Sequence, residues 1–115
     1  MIYRGIVQKG ERRGTALGFP TANIPFAGDS LSGIYIGRTK LRGREYNSAV
    51  FIDQRRKILE AHFLDFPLED LYGEEIEVEL LEKIREHESF TYDEQLRVRI
   101  AGDIEKVRIY FANKI

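Results

Sequence analysis

Glu75-Ile76-Glu77-Val78-Glu79-Leu80 alternates charge and hydrocarbon without a break, and this run constrains the fold more than any other part of the chain. Successive side chains of a β-strand point to opposite faces. Ile76, Val78 and Leu80 therefore share a face that must be buried, and the three glutamates share one that meets water, the wet side of a barrel wall. Further strands are expected near Ile2–Val7, Gly33–Leu41, Glu45–Ile52 and Ile58–Leu64, with a turn at Arg42-Gly43 and a connection rich in turn residues from Asp65 to Gly73. After the last strand the period changes. Leu96, Ile100, Ile104, Val107 and Phe111 recur at helical spacing, and Thr91 with Glu94 three residues later has the form of a capping box, so one helix is expected to close the chain.

Composition bounds the class. A hydrophobic content of 43% and a net charge of −1 fit an ordinary core and give no general attraction to nucleic acid or anionic membrane. The absence of cysteine excludes disulfides and Cys-ligated metals and is compatible with the cytosol. No signal peptide or membrane span is readable, and 115 residues read as one domain, 1–115. There is no internal repeat, low-complexity tract or interdomain linker.

The chemistry concentrates in Gly14-Thr15-Ala16-Leu17-Gly18-Phe19-Pro20-Thr21-Ala22-Asn23-Ile24, where glycines, a proline and two oxygen-bearing side chains crowd together. Gly14 and Gly18 permit conformations closed to other residues, and Pro20 removes a donor, so the backbone is shaped here without continuous pairing. If Pro20 to Ile24 is extended, Thr21 and Asn23 project to one side. Two neutral oxygens there suit Mg²⁺, which usually completes its shell with water and substrate phosphates. The spacing alone leaves open that Thr21 and Asn23 serve only as turn or cap residues. Upstream, Lys9-Gly10-Glu11-Arg12-Arg13-Gly14 is a basic loop able to close over a polyphosphate. Neither G-x-x-x-x-G-K-[ST] nor G-x-G-x-x-G occurs, so the Walker and protein-kinase grips on phosphate are excluded.

A second candidate site lies in Ile58-Leu59-Glu60-Ala61-His62-Phe63-Leu64-Asp65-Phe66. With a two-residue period Glu60 and His62 share one face, while Leu59, Ala61 and Phe63 share the other. Glu60 is either a solvated outer residue or a base that takes a proton from a substrate hydroxyl. His62 is read as structural, with a ring nitrogen satisfied locally.

These pieces together resemble the riboflavin kinase family. The resemblance runs through Gly5 and Val7, the Gly10–Gly14 loop, Leu17 to Ile24, Gly33-Ile34-Tyr35, Glu60 to Phe66, Asp70-Leu71-Tyr72-Gly73, Ile84-Arg85, Phe90, and a closing helix with Leu96, Ile100 and Asp103, nearly the whole chain. It implies a mainly β fold: a small closed antiparallel Greek-key barrel of about six strands with a C-terminal α-helix. It also implies an ATP:riboflavin 5′-phosphotransferase making FMN. Thr21 and Asn23 would hold the metal of a Mg-nucleotide, with Mn²⁺ and Zn²⁺ as alternatives, and Glu60 would activate the ribityl 5′-hydroxyl. Gly10, Arg12, Arg13, Gly14, Gly18 and Pro20 would bind the nucleotide, and Arg85, Phe90, Leu96 and Ile100 would border riboflavin.

Two departures stand out. The family commonly has R-G-R where this chain reads Arg13-Gly14-Thr15, and a longer I-G-x-x-P-T segment where this chain runs directly through Phe51-Ile52-Asp53-Gln54-Arg55-Arg56-Lys57. The length leaves no room for the N-terminal FAD synthetase domain of many bacterial relatives, so the expectation is FMN and not FAD. A cytoplasmic monomer with no nucleic-acid or membrane partner is the accompanying expectation. Two other classes compete with the enzyme. One is a silent flavin- or nucleotide-binding module on the same fold. The other is a nucleic-acid-binding barrel, suggested by Arg12-Arg13 and Arg55-Arg56-Lys57 but opposed by the acidic strand and the overall charge.

Overall fold

A computed structural model describes residues 1–9, 18–28, 31–67 and 69–113. Among these residues six strands and one helix follow in order: β1 Ile2–Ile6, β2 Ala22–Pro25, β3 Gly33–Leu41, β4 Arg44–Asp53, β5 Ile58–Phe63, β6 Glu75–Arg85 and α1 Asp93–Ala112. The strands form one sheet in the order β1-β6-β3-β4-β5-β2, antiparallel throughout. β3, β4 and β5 are joined as consecutive hairpins and β6 returns beside β3, which is the Greek-key arrangement. The two outer strands then approach each other. The Gln8 N–H donates to the Asn23 carbonyl at 2.8 Å, so the sheet is nearly closed into a barrel.

The alternating run behaves as its pattern requires. Ile76 and Val78 are buried in the barrel with Leu80 packed against them, while Glu77 and Glu79 pair outside with Arg4 and Arg38. β3 and β4 are different because both of their faces are covered. Tyr35, Val50 and Ile52 point into the barrel, whereas their neighbours Ile36, Ala49 and Phe51 belong to a second cluster with Leu64 and the helix residues Ile100, Ile104 and Val107. Leu96 and Phe111 pack at the margins of that cluster. The helical stripe read from the sequence is therefore the contact between α1 and the outer face of β3 and β4.

The capping box does not form. The helix begins one residue later, with extended Tyr92 as its N-cap and no side-chain cap bond, and Glu94 pairs instead with Arg97 at 2.7 Å. Asp93 and Glu94 still place negative charge in the first turn, where the helix dipole favours it. Among the described residues no helix is long and apolar enough to cross a membrane.

Candidate active site

The register of β2 against β5 assembles the site. Asn23 lies directly opposite Glu60, and Glu60 lies directly opposite Phe51 of β4, so the three side chains form one row across the sheet. Thr21, just before β2, brings its Oγ1 to 3.1 Å from Asn23 Oδ1 and 3.1 Å from Glu60 Oε1. A threonine hydroxyl has a single hydrogen and serves one of these acceptors at a time, so three oxygens converge on the same point. Such a set suits a hard cation that finds its remaining ligands elsewhere. Among the described residues no cluster of three His, Cys, Asp or Glu side chains forms a metal cage.

The chain leading into β2 is fixed from below. Gly18 has φ of 95°, a conformation that a residue with a Cβ rarely adopts. His62 then anchors the next turn: its Nδ1–H donates to the Pro20 carbonyl at 2.8 Å, and Phe19 meets the imidazole edge to face with ring centres 5.9 Å apart. Burial holds the His62 pKa below its ordinary value. The Pro20 carbonyl opposes that shift and the charge of Arg108 adds to it, so the ring is neutral at neutral pH and acts as a strut. The local partner expected for a His62 ring nitrogen is the Pro20 carbonyl.

Beside this cluster opens a cavity of about 360 Å³, within the range of small-molecule sites. Thr21, Asp53, Arg56 and Glu60 line it on the polar side, and Phe19, Phe51, Phe90, Leu96 and Ile100 supply apolar wall. Gly33 also lines it, and only glycine fits: its φ is 104°, and a Cβ would stand 2.6 Å from the Arg85 carbonyl oxygen.

Arg85, Phe90, Leu96 and Ile100, expected at the acceptor side, all line this cavity. Arg85 is committed elsewhere, however. Its Nε and Nη2 grip Asp103 Oδ1 and Oδ2 at 2.9 and 2.7 Å, and Asp103 is 1% exposed. This bidentate pair ties the end of β6 to α1 beneath the connecting segment His87–Phe90. Gly18, Pro20 and Asn23 do not line the cavity, although Asn23 touches the cluster at its edge. Gly10, Arg12, Arg13 and Gly14 lie outside the described residues.

Sequence reasoning missed Phe51, Asp53 and Arg56 as site residues. Phe51 was findable once β4 was aligned with β5, since it opposes Glu60. Arg56 was read as part of a basic run and of the shortened segment before Glu60, without a role of its own, yet its Nε donates to Asp53 Oδ2 at 2.8 Å and its Nη2 lies 3.4 Å from Glu60 Oε2.

Residues 1–111 match the family model described as "Flavokinase: Riboflavin kinase". The chain belongs to the riboflavin kinase family. It is 32% identical to the bifunctional riboflavin kinase/FMN adenylyltransferase of Haemophilus influenzae over 93% of this chain and 37% of that protein. The chain thus spans well under half the length of that curated relative. Among solved structures, a riboflavin kinase from Trypanosoma brucei superposes with a TM-score of 0.68 at 25% identity, covering 98% of this chain and 80% of the other. A Streptococcus pneumoniae chain named as a macrolide-efflux protein superposes with a TM-score of 0.80 at 27% identity, covering 93% and 38%. Family membership accounts for the barrel, the closing helix and the order of the motifs.

Proposed function

We propose that this riboflavin kinase domain transfers the γ-phosphate of ATP to the ribityl 5′-hydroxyl of riboflavin, giving FMN and ADP. The observation that carries the reading is the convergence of Thr21, Asn23 and Glu60 oxygens at the polar edge of a cavity with aromatic and aliphatic walls. A flat isoalloxazine ring suits the walls formed by Phe51, Phe90, Leu96 and Ile100, and a polyol tail suits the side that ends at Glu60. Membership of the family supports both assignments.

In this reading Glu60 accepts the hydroxyl proton as the 5′-oxygen forms its bond to the γ-phosphorus and the bond to the β-phosphate oxygen breaks. Riboflavin kinases use a divalent metal, generally Mg²⁺, and Thr21 and Asn23 would hold it. When bound with the nucleotide, the ion supplies charge neutralisation on the phosphate oxygens. His62 and Gly18 keep Thr21 in place, so the oxygens need no rearrangement when the nucleotide arrives. Gly10, Arg12, Arg13 and Gly14 would close over the phosphates. A monomer working in the cytoplasm completes the proposal.

The test is to incubate the purified protein with riboflavin, ATP and Mg²⁺ and separate the flavins by chromatography, with Glu60→Gln run alongside. FMN is expected from the wild type, and the variant is expected to turn over roughly 10²- to 10⁴-fold more slowly, the usual range for general-base assistance. Binding of riboflavin and ADP without FMN would replace the kinase by a silent binding module. An unchanged rate in the variant would remove Glu60 from the chemistry.

A further inference from the structure

We infer that Arg56 is a positioning residue of the phosphoryl-transfer site, mounted on Asp53 so that its guanidinium fixes the orientation of the Glu60 carboxylate. The inference rests on the reading of Glu60 as the base.

The turn between β4 and β5 is built as a rigid mount. Asp53 Oδ1 accepts the backbone N–H groups of Arg55 and Arg56 at 3.0 and 3.1 Å, and its Oδ2 accepts Arg56 Nε at 2.8 Å. Gln54 ties the turn to the segment before β3 through the Leu31 carbonyl at 2.6 Å and receives Lys57 Nζ at 3.2 Å. Lys57 closes the turn with φ of 57°, a conformation uncommon for a residue with a side chain. Both the backbone and the Nε of Arg56 are thus held by one carboxylate, and little is left to vary except where Nη2 points.

Nη2 points to Glu60 Oε2, while Thr21 Oγ1 meets the other oxygen, Oε1. The terminal torsion of a glutamate is broad and roughly two-fold, so an unheld carboxylate presents its oxygens over a wide arc. Two contacts on two different oxygens select one orientation. Stability does not explain the arrangement. The side chains of Arg56 and Glu60 are 41% and 24% exposed, and ion pairs in such wet surroundings contribute little to folding. The whole device, Asp53, Arg56 and Glu60, lines the cavity. Asp53 and Arg56 also lie in the short Asp53–Lys57 segment where this chain departs from the longer family pattern.

The experiment uses the intact chain with riboflavin and MgATP and measures kcat and both KM values for Arg56→Gln, Arg56→Lys and Asp53→Asn. It then repeats Arg56→Gln in the Glu60→Gln background. Arg56→Gln is expected to lower kcat about tenfold, the scale of one charge-assisted hydrogen bond, with both KM values nearly unchanged. Arg56→Lys should recover part of the loss, and Asp53→Asn should reproduce it more weakly. In the Glu60→Gln background the Arg56 substitution should cost nothing further, because its effect passes through the missing carboxylate. A full additional loss in that background overturns the inference and makes Arg56 a direct contact of the phosphates. A fall in Tm with unchanged kcat also overturns it and reduces the turn to scaffolding. If Glu60→Gln alone leaves the rate unchanged, the functional reading itself fails, which is a separate outcome.

Discussion

Two arginines line the same cavity, each facing a carboxylate, and they are held in opposite ways. Arg85 meets Asp103 with both ends of its fork; the two side chains are 10% and 2% exposed. Arg56 meets Glu60 through one nitrogen at 3.4 Å in half-open surroundings. A dry, two-point pair is costly to open and tolerates no substitution of one partner, which suits a joint between a strand and a helix. A wet pair contributes little to stability, so its use is to steady a carboxylate whose oxygens stay open to substrate. One cavity therefore has a fixed, dry end and an open, wet one.

The largest effect is expected at the fixed end. Asp103→Ala leaves the Arg85 guanidinium buried without its counter-charge, and breaking such a pair typically costs about 3–5 kcal/mol of stability. The neighbouring Glu88, whose Oε1 lies 3.6 Å from Arg85 Nη1, offers a partial replacement and argues for the lower part of that range. Replacing both partners by apolar residues, as in Arg85→Met with Asp103→Leu, should recover most of the loss in a urea melt, because no charge is then stranded. Equal destabilisation by the single and double variants would show that the two ends do not differ in the way described. Thermal melting of Glu60→Gln, by contrast, should scarcely depart from the wild type.

The next effect belongs to the metal-facing oxygens. Thr21→Ala and Asn23→Ala are each expected to weaken MgADP binding about tenfold in calorimetric titration while leaving Tm near that of the wild type, because each removes one oxygen from a site whose other ligands come from the nucleotide. Undiminished affinity in both variants would sink the metal assignment.

Much of this contrast could be read in the sequence and some of it could not, for identifiable reasons. The alternation at Glu75–Leu80 marked β6, but the strand continues to Arg85. The pattern fades there because β6 pairs with β3 through two register shifts and its far half turns toward the cavity and the helix. In β3 and β4 alternation is absent because α1 buries the second face. Thr21 and Asn23 were expected to share a side, and they do. Their meeting with Glu60 depends on the β2–β5 register, which local pattern does not encode. Asp103 reads as one more residue of a helix until β6 is seen to deliver Arg85 beside it. Arg56 reads as a solvated basic run until Asp53 is seen to turn it back over the cavity. Local periodicity reports which face of a strand is dry. It does not report which distant charge the fold will bring to that face.

The smallest effect sharpens the comparison at the open end, where a neutral group holds the turn that leads to Thr21. His62 is held below its ordinary pKa mainly by burial, so the folded protein binds a proton there less readily than the unfolded chain. In the window between the lowered folded value and the ordinary value near 6.5, the unfolded state carries more protons, and stability rises with pH. The contribution is complete above about pH 7 and is lost progressively as pH falls below about 6.5. The urea midpoint should accordingly drop between pH 7.5 and pH 5.5, and His62→Phe should flatten that dependence while also losing the bond to Pro20. A midpoint that falls equally in both proteins would assign the pH response elsewhere and leave the Pro20 strut without a titrating member. Nucleotide affinity should change little over the same range, because the Nδ1–H that holds Pro20 is present in both charge states of the ring.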